Sequence, residues 1–247
     1  MPTISAAEQA FHTSPHFHTK IYVDWFVDYF FWSYQIFFVP LQAETNNSIT
    51  TTMKQQFIQL LRSTNRQGVE NVINWLEQSD FFEAPASTIF HGNYAGGLLE
   101  HSMNVAILAH DVHQMLCKHK SELAEQVTRD NIIIAALLHD ICKANIYQKT
   151  TKYRKDANNA WETYETYSVD YSEFPMGHGE KSVIRLLQLG LQLTTDEMVA
   201  IRWHMTAWEL PFQSGEAKAN LNAAKNQCPL LSIIQTADGL ASAILEK

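Results

Sequence analysis

The sequence predicts an all-α protein interrupted by one small β-hairpin, and three observations predict it. From Met53 onward apolar residues recur at the spacing of one helix face. Residues 145–175 lose that period and become rich in Thr and Tyr. Helix breakers and caps fall at the edges of the periodic segments rather than inside them.

The elements follow in order. "MKQQFIQLLRSTNRQGVENVINWLEQSDFF" places Phe57, Leu60, Leu61 and then Val69, Val72, Ile73, Leu76 at helical intervals. "GGLLEHSMNVAILAHDVHQMLCKH" follows, with Gly96 and Gly97 as the breaker before it. "TRDNIIIAALLHDICKANIY" starts at Thr128 or Asp130, either of which suits an N-cap. The Thr- and Tyr-rich stretch has a turn near Asp156–Asn159 and reads as a β-hairpin or ordered flap. Helices resume with "GEKSVIRLLQLG" and with "TTDEMVAIRWHMTAW", capped by Thr194 or Thr195. The last is "CPLLSIIQTADGLASAILEK", where Pro229 suits a first helical position.

Residues 1–52 read differently from residues 53–247. "IYVDWFVDYFFWSYQIFFVPL" is long enough to cross a bilayer, but Asp24 and Asp28 lie within it and no signal-peptide cleavage site follows. It is expected to be an atypical aromatic-rich extension: irregular or non-native, a packed helix, or an interfacial or membrane segment. No membrane span is expected in the rest.

Composition narrows the function classes. A 46% apolar and 18% charged chain is ordinary for a globular protein. A net charge of -8 argues against binding duplex nucleic acid over a broad surface, while leaving room for a small phosphorylated substrate. Cys117, Cys142 and Cys228 form no C-x-x-C pair and suggest reduced thiols in a cytoplasmic setting. The eleven histidines stand out.

Within "AALLHDICK" a histidine and an aspartate interrupt an apolar helix. A buried carboxylate costs several kcal/mol unless it is paired or metal-bound. The polar residues that interrupt the other apolar helices supply partners: His101, His139, Asp140, His178, His204 and Asp238. Leu231, Ile233 and Ile234 before Asp238, and Leu240 and Ile244 after it, put that carboxylate mid-helix. Imidazoles and carboxylates from facing helices are a usual metal cage in a helical protein. Such a set favours Mn, Fe, Co, Ni or Zn, with Mg the oxygen-preferring remainder. His110, His113 and His119 read as core or surface residues, and His12, His16 and His18 are given no role. No cysteine sits beside the candidate ligands except Cys142, which is expected on a different helical face from His139.

The order H … HD … D, filled as His101, His139-Asp140 and Asp238, resembles the HD superfamily of metal-dependent phosphohydrolases. The matching pieces are "AGGLLEHSMNVA", "AALLHDICK", "PMGHGEKS", "IRWHM" and "TADGLAS", spread over about residues 70–245. His178 and His204 are similar to the extra histidines of the binuclear branch, where they bind a second metal and the HD aspartate bridges both. "GGLLEH" is most similar to the catalytic domain of HD-type 3′–5′ exoribonucleases. The Gly-Tyr-Pro triplet of cyclic-dinucleotide phosphodiesterases of the HD-GYP type does not follow the HD pair.

The resemblance implies an HD-domain helical bundle with the hairpin as an insertion. It implies one or two divalent ions and cleavage of a phosphate ester of a nucleotide or short nucleic acid by a metal-activated water. The alternative is an HD-type di-iron oxygenase with the same ligands. Asp140 and Lys143 are the expected catalytic residues, Lys143 sharing the HD face at i+3 and i+4. Lys143, Lys181 and His91 are the expected substrate contacts. Arg202 points away from His204 by helical geometry. Lys149, Lys152, Arg154 and Lys155, interleaved with Tyr147, Tyr153 and Trp161, decorate the flap and suit either a solvated face or a nucleotide.

Overall fold

The computed structural model describes residues 46–209 and 214–246, so the aromatic-rich segment Ile21–Leu41 and His12, His16 and His18 lie outside the described residues. Nine helices run in order among the described residues: α1 (Asn46–Ser63), α2 (Val69–Gln78), α3 (Gly97–Cys117), α4 (Leu123–Gln126), α5 (Arg129–Leu138), α6 (His178–Gln188), α7 (Thr195–Trp203), α8 (Gly215–Gln227) and α9 (Pro229–Leu240). One hairpin among the described residues, β1 (Tyr147–Lys155) and β2 (Trp161–Val169), is inserted between α5 and α6. No single described helix is long and apolar enough to cross a membrane.

The caps predicted from sequence resolve to one residue each. Thr128 accepts from the Asn131 amide and Thr194 from the Glu197 amide, both as reciprocal capping boxes that satisfy amides left over by the first turn. Pro229 opens α9. Helix α1 begins at Asn46, seven residues before Met53, through a Thr-rich turn of low helix propensity.

Helices α3, α5, α7 and α9 form the central bundle, and α6 packs on α7. Their inner faces bury Leu98, Val105, Ile134, Leu137, Ile201, Leu231 and Ile234 almost completely. Three rings under α1, Phe57, Phe81 and Phe82, meet at centroid distances of 5.4 to 5.6 Å, two of the pairs edge-on. That is the geometry the ring quadrupoles favour. Glu197, fully buried, takes two ion-paired contacts from Arg66 at 2.7 and 2.8 Å and a third from Asn131 at 2.9 Å. It thereby ties the start of α7 to α5 and to the loop before α2.

One close approach positions the site. Gly179 lies against α7, where a Cβ would sit 2.1 Å from the carbonyl oxygen of Arg202. Only hydrogen fits there, so α6 and α7 pass close enough to bring His178 and His204 together.

Candidate metal centre

The α-helix carrying the HD pair stops at Leu138, one residue before the pair. His139 follows with φ -56 and ψ -36, Asp140 turns to φ -104 and ψ 16, and Ile141–Lys143 form a tighter 3₁₀ turn. His204 occupies the same position after α7 with the same φ and ψ. In both, the ring uses the helix it has just left. Nδ1 of His139 donates to the Ala136 carbonyl and Nδ1 of His204 to the Ile201 carbonyl, each at 2.7 Å. Carbonyls of a last helical turn lack amide partners, and the imidazole N–H satisfies one.

That local device has a chemical consequence. A ring that donates through Nδ1 carries its lone pair on Nε2. Nε2 of His139 lies 3.2 Å from Nε2 of His101, and 3.4 Å from Oδ2 of Asp140. Nδ1 of His101 faces both oxygens of Glu246 at 3.0 and 3.1 Å, so its Nε2 too points inward, 3.4 Å from Asp238 and 3.6 Å from Asp140. Two lone pairs facing each other at this distance are held by a shared cation, a proton or a metal ion. Nε2 of His204 is buried with no hydrogen-bond partner, 3.5 Å from Oδ1 of Asp140. His178, the first residue of α6, meets Oδ1 of Asp140 at 2.5 Å. His101, His139, His178 and His204 thus converge on the Asp140 carboxylate. Asp238 joins them through His101, which completes the six residues expected from the sequence to bind metal.

The charge balance is that of a cation site. Burial opposes ionisation of Asp140, but Lys143, His139 and His178 outweigh it and hold the carboxyl well below its usual range. Asp238 is likewise lowered against burial by His101 and His139. Burial also opposes charge on His101, yet its bonds to Asp238 and Glu246 lift its pKa to about 9. His204 goes the other way, lowered by burial. Ligand atoms of His101, His139 and Asp238 lie within 4.8 Å of one another, as do those of His139, Asp140 and His204. An inward lone pair without a partner, two carboxylates and Nδ1-anchored rings fit a first-row transition ion.

The remaining expected residues take distinct places. Lys143 Nζ bonds Oδ2 of Asp140 at 2.7 Å, the i+3 relation surviving the tighter turn. His91 lies over His101, ring centroids 4.8 Å apart, its Nε2 buried without a hydrogen-bond partner. Lys181 is buried, its ammonium 5.6 Å from the Tyr171 ring and 5.9 Å from that of Phe174, in a small pocket that Cys142 also lines. None of its described contacts is with the six converging residues. Arg202 ion-pairs with Glu180 and stacks on Trp203.

Two neighbours of the site are not legible as such in the sequence. Glu246 clamps His101 and also accepts from Asn104 at 3.0 Å; it lies past the motifs, and Asn104 one turn beyond His101 is the only hint. The sulfur of Cys142 lies 3.4 Å from Nδ1 of His178 and joins Asp140 and His178 in one potential ligand group.

Comparison with known proteins agrees with this geometry. The family model for the HD domain matches residues 98–243. A dihydroneopterin 2′,3′-cyclic phosphate phosphodiesterase of Methanocaldococcus jannaschii is 34% identical over 89 residues, 36% of this chain and 32% of the relative. The chain therefore spans about a third of that relative's length. No solved structure matches. With the H … HD … D order, the inward ligand set and a family match across more than half its length, the chain belongs to the HD superfamily of metal-dependent phosphohydrolases.

Proposed function

We propose that the chain cleaves a phosphate ester of a nucleotide or short nucleic acid. In this reading His101, His139, Asp140, His178, His204 and Asp238 hold one or two divalent transition ions. The observation that carries the reading is the anchored pair His139 and His204. Both rings are locked by their own helix carbonyls so that lone pairs, one of them without any partner, face the Asp140 carboxylate. The relative named for dihydroneopterin 2′,3′-cyclic phosphate supports a small phosphorylated substrate.

Ions bound there would supply Lewis acidity towards a phosphate oxygen. The protein's own groups do the rest. Lys143, whose pKa is raised by Asp140 against burial, stays an ammonium at neutral pH and offers N–H donors to the phosphate. Asp140 stays ionised and fixes the axis along which the histidines meet. His91 presents an unpartnered nitrogen beside His101, suited to a phosphate or ribose oxygen. Lys181 adds positive charge from the pocket next to Cys142. In the reaction a water oxygen bonds to phosphorus, the ester P–O bond breaks, and the departing oxygen takes up a proton.

Metal content per chain tests this directly, by elemental analysis of protein purified without chelator. Two transition ions in the wild type falling to one in His204→Ala are expected, with loss of hydrolysis of 2′,3′-cyclic nucleotides. The reading is abandoned if protein loaded with Mn or Fe hydrolyses no phosphomonoester, phosphodiester or nucleoside triphosphate.

A further inference from the structure

The hairpin register sorts its residues onto two faces, since partners directly opposite share a side. Lys149 pairs with Tyr167, Tyr153 with Thr163 and Lys155 with Trp161 on one face. Lys152 pairs with Tyr164 and Arg154 with Glu162 on the other. On the second face Thr166 is buried and donates to the Thr88 carbonyl at 3.0 Å, while Lys152 and Arg154 nearer the turn are exposed. On the first face Lys149, Thr151, Tyr153, Lys155, Trp161, Thr163 and the single carboxylate Glu165 are all exposed. Tyr153 and Trp161 each leave 71% of their surface to water, and Lys155 lies over the Trp161 ring at 5.6 Å. Large rings held open in this way expose flat apolar surface beside cations, on a chain whose net charge is -8.

The same face begins at the metal centre. Tyr147 follows Lys143 by four residues, its phenol is half-buried against the Ala86 carbonyl at 3.2 Å, and its ring meets Tyr167 at 6.1 Å. Six residues of strand separate Tyr147 from Tyr153, about 20 Å at ~3.3 Å per residue. That is about six nucleotides at the 3.4 Å spacing of stacked bases, so a mononucleotide in the site reaches neither Tyr153 nor Trp161.

We infer that the outward face of the hairpin is a stacking platform for single-stranded nucleic acid: bases lie on Trp161 and Tyr153, backbone phosphates meet Lys149 and Lys155, and the strand leads towards the metal centre. Aromatic stacking beside cations binds single strands with little sequence preference. Duplex offers no free base faces to such a ribbon. What happens to the strand end rests on the hydrolase reading above; the binding itself does not.

Fluorescence anisotropy of labelled oligothymidylates with the full chain tests it, in EDTA so that binding is read without turnover. An eight-residue strand is expected to bind, and the double variant Tyr153→Ala/Trp161→Ala to weaken it about tenfold or more. Binding of a labelled dinucleotide should be unchanged by the same variant. Both positions are exposed, and a circular dichroism melt confirms that the variant folds. No octamer binding, or octamer binding indifferent to the two rings, overturns the inference. So does weakening caused only by Lys149→Ala/Lys155→Ala, since that marks general attraction to polyanions. Ring-dependent octamer binding in a protein that hydrolyses no phosphate ester would uphold the platform while removing the hydrolase reading. Hydrolysis of short esters without ring-dependent binding would do the reverse.

Discussion

Glu246 shows how much of the site rests on a residue outside every motif. Its carboxylate holds Nδ1 of His101 and is itself held by Asn104. Carboxylates behind a histidine ligand fix its tautomer and raise its basicity, and losing one typically weakens metal binding 10- to 100-fold. Glu246→Ala should therefore raise the dissociation constant for Mn by about that factor, as measured by titration calorimetry, while the melting temperature of the metal-free protein changes little. An unaltered affinity would mean that Asp238 alone orients His101. His101, His139, Asp140, His204 and Asp238 were legible in the sequence because each interrupts an apolar helical pattern and so needs a partner. His178, between two glycines at the first position of α6, was legible from its place in the order of motifs. Glu246 was not, because a glutamate near the end of a chain breaks no pattern.

Among the elements, the ends of helices matter more than their middles. A continuous helix through the HD pair predicts Lys143 beside Asp140, which the structure has. No residue type in the sequence marks that the chain tightens just past the pair into the 3₁₀ turn Ile141–Lys143. Helix α8 went unread for a related reason: of its thirteen residues only Leu221 is buried, so it carries no apolar stripe. The hairpin and its turn were legible from composition and turn residues alone. The contact of Gly179 with Arg202 couples α6 to α7, and Gly179→Ala puts a methyl where a carbonyl oxygen already lies. Overpacking of this kind costs about 1–3 kcal/mol. Because a shift near 1 Å in a site can cost about 100-fold in rate, the variant should lose far more activity than stability. Urea denaturation alongside initial rates checks this; equal losses in both would mean that the helices do not need this spacing for chemistry.

At the scale of the whole molecule, acid sensitivity should come partly from histidines outside the six converging residues. Burial, reinforced by the nearby charges of His113 and Arg129, pushes the pKa of His110 down to about 4. In the unfolded chain it titrates near 6.5. The unfolded state therefore binds more protons between those values, and stability rises with pH from about 4 to 6.5 and is complete above. His110 accounts for up to about 3 kcal/mol of that rise. His91 and His113, also lowered by burial, act in the same direction. His110→Gln should flatten the dependence of unfolding free energy on pH between 4.5 and 6.5, and an unchanged slope would show that other groups carry it.

The two histidines at helix ends are oriented by main-chain carbonyls, whereas His101 is oriented by a side chain. Every residue type brings a carbonyl, so no single codon change at Ala136 or Ile201 deletes the acceptor. One codon change at Glu246 does. Genetic drift in a lineage released from selection for turnover would accordingly strip the support of His101 first. His139 and His204 would still be aimed inward, long after the chemistry they served had lapsed.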